Sequence, residues 1–556
     1  MLLDIKDLQI TFGNSPVVDK ISFTLNEQET LGIVGESGSG KSLTALSIIG
    51  LLPEAANITN GEINYYQNNQ WINLLTLEEK AKQKLRSNDI SMIFQEPMSS
   101  LNPSMKCGRQ VMEVLEYHKK ASSREARETT FILFDEVKLP QPGIIFDKYP
   151  HQLSGGQRQR IMIAMALACK PKLLLADEPT TALDATVQKS IIELIQSLQK
   201  KYGLSIIFIS HDLGIVSKIS DKILVLNQGK RTDYGLSNDV FLHPKSPYTK
   251  GLIACRPQIN TRPERLPVVV DFIQGKYDFQ IKEDSERKKR HELIYSRPPV
   301  LTINNLNTYF HHKYNIFNRP VKSFMALCNI NLSVWQGETL GLVGESGSGK
   351  STLGRSLMRL IETVSGDMIY KGVNLSKLNK HELKQFRSKF QLVFQDPYSS
   401  LNPDHTLGYS IMEPMIVHKL YESNKVRKLK ALELFEKTGL DTSFYNRYPH
   451  QLSGGQRQRV AIARALATCP EFLICDESVS ALDVSIQAQI LNLLNQLKNQ
   501  MNLTYIFISH DLNVVKYMSD RILVLNQGQV EETGEADDLC KNPKKEYTRK
   551  LLNAAI

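Results

Sequence analysis

The chain has 556 residues, a length that allows about three or four compact units. Hydrophobic residues make up 41% and charged residues 23%, which is ordinary for a globular protein and excludes a disordered or fibrous one. A net charge of +10 over this length reads as a solvated basic surface rather than a nucleic-acid or lipid footprint. Met1-Leu-Leu-Asp-Ile-Lys lacks a basic region followed by an apolar run, so no signal peptide is expected. The apolar run Ile161–Cys169 is far shorter than the roughly 20 residues of a spanning helix. The seven cysteines have neither paired nor metal-type spacing and read as reduced thiols of a cytoplasmic protein.

Leu8–Phe12 and Ile21–Leu25 alternate as strands, and Thr30–Val34 is a short buried strand. It runs into Gly35-Glu36-Ser37-Gly38-Ser39-Gly40-Lys41-Ser42 and a helix through Leu51. Residues 53–75 read as loop and edge strand, and Ser104–Gln141 as amphipathic helix. Then come Tyr149–Arg160 with a helix on to Cys169, a strand Lys172–Ala176, a helix Thr186–Lys200, and strands Ser205–Ile209 and Lys222–Leu226. Strands alternating with helices imply a mostly parallel sheet covered on both faces.

The twelve residues Tyr149–Arg160 recur unchanged as Tyr448–Arg459, and the whole order repeats. The chain therefore divides into halves of roughly 255 residues, each able to bury its own core. The boundaries expected are 1–255, a linker 256–298, and 299–556. Within the linker, the mixed-charge run Lys282–Arg290 reads as solvated. Spacing places extra residues of the first half around Tyr65–Trp71 and of the second around His311–Lys322, both in loop-like sequence.

Gly35–Ser42 and Gly344-Glu345-Ser346-Gly347-Ser348-Gly349-Lys350-Ser351 fit G-x-x-x-x-G-K-[ST] between a strand and a helix. The glycines let backbone amides wrap phosphates, the lysine reaches the β- and γ-phosphates, and the serine ligates Mg2+. Asp177-Glu178 and Asp476-Glu477 end buried strands. In P-loop NTPases such a first acid holds Mg2+, and the second is placed to polarise the attacking water. His211 and His510 close the strands of the same sheet edge, where a γ-phosphate contact is favoured over a structural histidine. Gln95 and Gln395 also follow strands; each senses the metal or the attacking water, with a plain polar turn as the open alternative.

In this order the motifs resemble the ATP-binding cassette (ABC) ATPases over nearly the whole chain except the linker. The resemblance implies an α/β fold of two tandem ABC-type P-loop NTPase cassettes, each with a RecA-like core, an antiparallel β subdomain and a helical subdomain. It makes Ser154-Gly155-Gly156-Gln157 and Ser453-Gly454-Gly455-Gln456 signature motifs, and Asp184 and Asp483 D-loop residues. It offers Phe12 for stacking on adenine and leaves the second half's aromatic open. ATP and Mg2+ are implied. The implied metal ligands are Ser42, Gln95, Asp177, Ser351, Gln395 and Asp476, and the catalytic set is Glu178, His211, Glu477, His510, Gln95 and Gln395.

Gln95–Pro103 and Gln395–Pro403 resemble the Q-loops of peptide/nickel-type importers, and His243–Thr249 and Glu546–Thr548 resemble the tail of that subfamily. Fusion in one chain is most similar to the tandem ATPases of importers of peptides and microcin-C-like compounds. The partners implied are two integral-membrane permease subunits and, through them, an extracytoplasmic peptide-binding protein. No nucleic acid is expected, and the place is the cytoplasmic face of the plasma membrane. The alternative is a tandem cassette acting on ribosomes or nucleic acid, but the proline-broken linker does not suit the long charged helix of such proteins. Some relatives carry an iron–sulfur cluster on tail cysteines; only Cys255 stands there, and no cluster is expected. Ser478 replaces the usual proline after Glu477, which should loosen that turn.

Overall fold

The computed structural model describes residues 1–96, 100–181, 183–277, 279–281, 283–314, 320–396, 400–480 and 482–554, with backbone alone at 311–314 and 320–323. Parts of four sequence expectations therefore lie outside the described residues. They are residues 97–99 and 397–399 of the two Q-loops, Ala182 and Ala481 beside the D-loop aspartates, Lys282 of the linker, and 315–319 of the second-half insertion.

Each half has two sheets. In the first half, β1 (Leu3–Phe12), β2 (Ser15–Leu25), β4 (Ala56–Gln67) and β5 (Gln70–Asn73) form an antiparallel sheet ordered β2-β1-β4-β5. The second sheet has the order β10-β9-β3-β8-β7-β6. It is built from β3 (Thr30–Val34), β6 (Ile90–Ile93), β7 (Leu173–Asp177), β8 (Ser205–Ile209), β9 (Lys222–Asn227) and β10 (Lys230–Leu236). Its pairings are parallel except for the β9–β10 edge. β3, β7 and β8 are buried at every position, so their sequences are apolar runs, broken only at an end by Thr30, Asp177 or Ser205, with no alternation to read. β3 lies between β8 and β9, which puts the phosphate loop at the centre of the sheet's C-terminal edge.

The second half repeats this plan. Its parallel sheet runs from β16 (Phe390–Val393) through β17 (Phe472–Asp476), β18 (Thr504–Ile508), β13 (Thr339–Val343) and β19 (Arg521–Asn526) to β20 (Gln529–Glu535). Its antiparallel sheet comprises β11 (Leu301–Tyr314), β12 (Pro320–Val334), β14 (Ser365–Tyr370) and β15 (Val373–Asn374). At 311–314 and 320–322 the second-half insertion is thus paired strand rather than loop.

Residues 53–75 are more regular than expected, because β4 pairs with β1 along nearly its whole length. The helical stretch expected over 104–141 is two helices, Cys107–Lys119 and Ser123–Glu136. Lys120 turns left-handed at the first helix's end, and Ser122 with Glu125 forms a capping box that starts the next.

The linker departs most from its expectation. Asp284–Tyr295 is a helix held on the second half, its charges exposed as expected except at Arg287, which is half-buried. Arg287 ion-pairs with Glu535 and Asp537, and Arg290 forks onto Asp520 at 3.0 and 3.2 Å. Upstream, Leu266 and Asn492 exchange two hydrogen bonds of 2.8 and 2.9 Å. Leu252, Leu266 and Val269 share one hydrophobic core with Ile191 of the first half and Leu491 and Leu494 of the second. Each half keeps a separate core between its two sheets.

Candidate functional site

In each half the phosphate loop links the central strand to a helix, Lys41–Ile49 or Lys350–Leu357. Each lysine is buried and folds back over its own loop. Lys41 Nζ donates to the carbonyls of Gly35 and Glu36 at 2.8 and 2.9 Å, and Lys350 Nζ to Gly344 and Glu345 at 2.7 and 2.9 Å. Burial lowers the Lys350 pKa. A Cβ placed on Gly38 or Gly347 would meet nothing within 4 Å, while Ser39 Oγ and Ser348 Oγ are buried without a hydrogen-bond partner. An open cradle with orphaned donors suits a bound anion.

Beside each loop stand the acids. Ser42 Oγ donates to Asp177 Oδ1 at 3.1 Å, and Ser351 Oγ to Asp476 Oδ1 at 2.7 Å. Asp476 Oδ2 is buried with no hydrogen bond, its nearest cation being Arg355 at 3.9 Å. Burial, with a smaller push from Glu178, raises Asp177 to about 6 against the Ser42 bond. Asp476 is raised for the same leading reason. A hydroxyl and a carboxylate, one oxygen left over, form the hard-oxygen pair that Mg2+ takes alongside substrate phosphates. The residues fit that ion.

Glu178 and Glu477 follow at left-handed φ of 46° and 48°, their amides bonded to Ile209 and Ile508 across the sheet. The turn takes the same conformation with Pro179 or Ser478 after the glutamate. Glu178 Oε2 accepts from Gln95 at 3.2 Å and Thr181 at 2.8 Å, with His211 Nδ1 at 3.3 Å. Glu477 Oε2 accepts from Gln395 at 2.7 Å, with His510 Nδ1 at 3.7 Å. Burial pushes Glu178 up, but the His211 bond and charge outweigh it and hold the carboxyl at about 2. Glu477 is lowered by the same contest with His510. Both histidines are raised: burial opposes their charge and the glutamates overcome it.

The duplicated stretch opens a helix in both halves, Gly155–Leu167 and Gly454–Leu466. Ser154 and Gln157 form a reciprocal capping box, as do Ser453 and Gln456. The second glycine is required by packing: a Cβ on Gly156 would lie 2.6 Å from Val187, and on Gly455 2.5 Å from Ile486.

The halves meet at these elements. Asp483 accepts from the Ser37 amide at 2.8 Å, Ser485 donates to the Glu36 carboxylate, and Asp184 accepts from the Ser346 amide at 3.3 Å. A cavity of about 650 Å³ has Ser37, Gly38, Gln95, Glu178 and His211 in its wall together with Ser453–Gly455. Lys41, Ser42 and Asp177 are not part of that wall. The gap between Asp184 and Gly344–Glu345 is only about 10 Å³, with no signature residue lining it. Phe12 ends β1, half-buried, and is absent from the large cavity's wall.

Two residues escaped the sequence reading as site members. Tyr248 Oη accepts from the Glu36 amide at 3.1 Å, and Tyr547 Oη from the Glu345 amide at 3.1 Å. Both sit in the tail motifs, the one available signal.

Phosphate loop, acids, glutamine and histidine on one sheet edge, the same set in both halves, define a tandem P-loop ATPase. The ABC transporter family matches residues 18–181 and 327–480, and the oligopeptide/dipeptide transporter C-terminal region matches 233–271 and 531–556. The chain belongs to the ABC transporter family, as an ATP-binding and ATP-hydrolysing chain. It is 43% identical to the glutathione import ATP-binding protein GsiA of Escherichia coli (strain K12) over 564 residues, spanning all of this chain and 89% of that protein. The protein of that name from Pectobacterium atrosepticum is 41% identical over the same spans. Among solved structures, a dimeric structure of the cassette MJ0796 is 32% identical, covering 42% of this chain and 98% of that one, with a TM-score of 0.39.

Proposed function

We propose that this chain is the ATPase subunit that energises import of peptides or peptide-like compounds through membrane permeases. The observation that carries the reading is the tail: both halves match the oligopeptide/dipeptide transporter C-terminal region, and each tail touches a phosphate loop. Relatives named for glutathione import, itself a tripeptide, point the same way. The narrower likeness, to the tandem ATPase YejF of peptide and microcin C importers, draws no specific support from these relatives. Nothing in them favours the ribosome or nucleic-acid alternative.

We assign the two cassettes to 1–255 and 299–556, joined by 256–298. Each ATP is held between one half's phosphate loop and the other half's signature. Site one takes Lys41, Ser42, Gln95, Asp177, Glu178 and His211 with Ser453–Gln456; site two takes Lys350, Ser351, Gln395, Asp476, Glu477 and His510 with Ser154–Gln157. Lys41 and Lys350 bind the β- and γ-phosphates, and the helix N-termini at Ser154 and Ser453 add partial positive charge. Ser42 with Asp177 and Ser351 with Asp476 hold Mg2+, Gln95 and Gln395 standing nearby. Bound Mg2+ neutralises phosphate charge.

Glu178 and Glu477 take the proton of the attacking water. While His211 stays on Glu178, the carboxylate is ionised but a weak base. Donation from His211 to the γ-phosphate instead frees the carboxylate, and burial then raises its basicity. Phe12 serves the first adenine.

Two permease subunits and, through them, an extracytoplasmic binding protein complete the assembly at the membrane's cytoplasmic face. Among the described residues no helix is long and apolar enough to cross a membrane. A groove of about 310 Å³ beside Gln395, between Phe394, Leu360, Glu413 and Val417, offers a seat for a permease segment; Leu360 and Val417 are exposed apolar residues. Glu178→Gln combined with Glu477→Gln should cut ATP turnover at least about 100-fold, in the range of removing a general base, while ATP still binds. Intact turnover in that double variant would show the acids to be misassigned.

A further inference from the structure

The tail motifs explain themselves only in part as fold. In His243–Thr249, Ser246 caps the helix Pro247–Ala254, and Thr249 Oγ1 donates to Asp233 Oδ2 at 2.5 Å, fastening that helix to β10. In the second half the amides of Lys544 and Lys545 donate to Glu532 of β20 at 2.9 and 3.1 Å. Thus anchored, each tail presents one tyrosine to its own phosphate loop: Tyr248 to the Glu36 amide, Tyr547 to the Glu345 amide.

The next amide in each loop is taken by the opposite half: Ser37 by Asp483, Ser346 by Asp184. The same tail helices also reach across. Pro247–Ala254 packs on the helix Val484–Met501, and Glu546–Ala554 on the helix Ala185–Tyr202, where Lys189 donates to the Asn553 carbonyl at 3.1 Å. Both of those helices start beside the aspartates in question. One pair of consecutive amides is therefore held by two elements that are themselves packed together. Both amides stand at the entry of the loop, ahead of Gly38 and Gly347, so what their partners fix is the loop's entry angle.

We propose that Tyr248 and Tyr547 are positioning residues for nucleotide binding: tail tyrosine and opposite aspartate together preset each phosphate loop. The inference rests on the nucleotide sites assigned above. A purely structural tyrosine would act through folding; a positioning one acts on affinity.

The test uses the full-length chain, with ATP affinity measured calorimetrically in EDTA and turnover measured with Mg2+. Tyr248→Phe with Tyr547→Phe keeps the rings and removes the acceptors. The expected result is a rise of about fivefold in both Kd and KM, the size of one lost hydrogen bond per loop, with kcat within about twofold. The thermal midpoint of the nucleotide-free chain should stay unchanged, and Tyr248→Phe alone should weaken one of the two binding events. Unchanged affinity in the double variant, or a loss of kcat that tracks a lowered midpoint, would overturn the proposal. Lys41→Ala with Lys350→Ala separates the two layers. If ATP still binds, the site assignment fails and the inference with it; if binding is lost while the tyrosine variants bind normally, the inference alone fails.

Discussion

Gly32, in the middle of β3, has no room for another atom: a Cβ there would lie 2.0 Å from Val216 and 2.6 Å from Ser220. Gly341 is in the same position against Val515 and Ser519 at 2.3 and 2.4 Å. The helix that follows each histidine is thereby pressed onto the central strand, which brings His211 and His510 beside the acids on the adjacent strands. Gly32→Ala should cost about 1–3 kcal/mol through overpacking, read as a fall in the unfolding midpoint of the first half. Lysine, serine, glutamine, acids and histidine were legible because they lie within a few positions of a strand end in their own motifs, and the serine-glycine stretch because it is repeated unchanged. Tyr248 was not: its bond to Glu36 spans 212 residues, and no local pattern encodes it.

The linker shows where an element hides in plain composition. A run of mixed charge normally reads as solvated, yet Arg287, Arg290 and His291 meet acids more than 200 residues downstream. Asp520 is the hub. It accepts from the Thr339 amide at 2.9 Å and from Arg290, with His291 at 3.2 Å and Lys498 at 3.2 Å. Asp221 occupies the matching place in the first half and accepts from the Thr30 amide at 2.8 Å. Burial opposes the charge on Asp520, but Lys498, His291 and Arg290 hold its carboxyl well below the usual range. A carboxyl depressed in the folded state contributes stability that is complete above its unfolded value of about 4 and is lost as pH falls through the folded value. Asp520→Asn should therefore destabilise the second half by about 3 kcal/mol at neutral pH, leaving Lys498 buried and unpaired. The deficit should shrink in acid-unfolding curves below about pH 4, as the carboxyl of the unfolded wild-type chain protonates ahead of the folded one. By contrast, the break between the helices Cys107–Lys119 and Ser123–Glu136 was readable in principle, since Ser122-x-x-Glu125 is a helix-start signature.

At the scale of the molecule, duplication alone would give two cassettes side by side. What joins them is a core that runs from Ile191 through Leu252 and Leu266 to Leu494, and a pair of aspartates that each reach the other half's phosphate loop. A cavity of about 650 Å³ lies between the halves, lined by Ser37 and Gly38 of the first loop, Ser453–Gly455 of the opposite signature and Ser509–Asn513. The repeat predicted the pairing; contacts such as Ser485 on the Glu36 carboxylate appear only once the halves meet.

The central claim is that each ATP is shared between halves, and retained nucleotide counts test it. In a Glu178→Gln, Glu477→Gln background that traps ATP, the chain should retain two ATP molecules. Adding Lys350→Ala with Ser154→Arg disables one site twice and should leave one ATP per chain. Adding Lys350→Ala with Ser453→Arg disables both sites and should leave none. The reverse outcome, with one ATP retained when Lys350 and Ser453 are altered and none when Lys350 and Ser154 are altered, would mean each half completes its own site and would contradict the account.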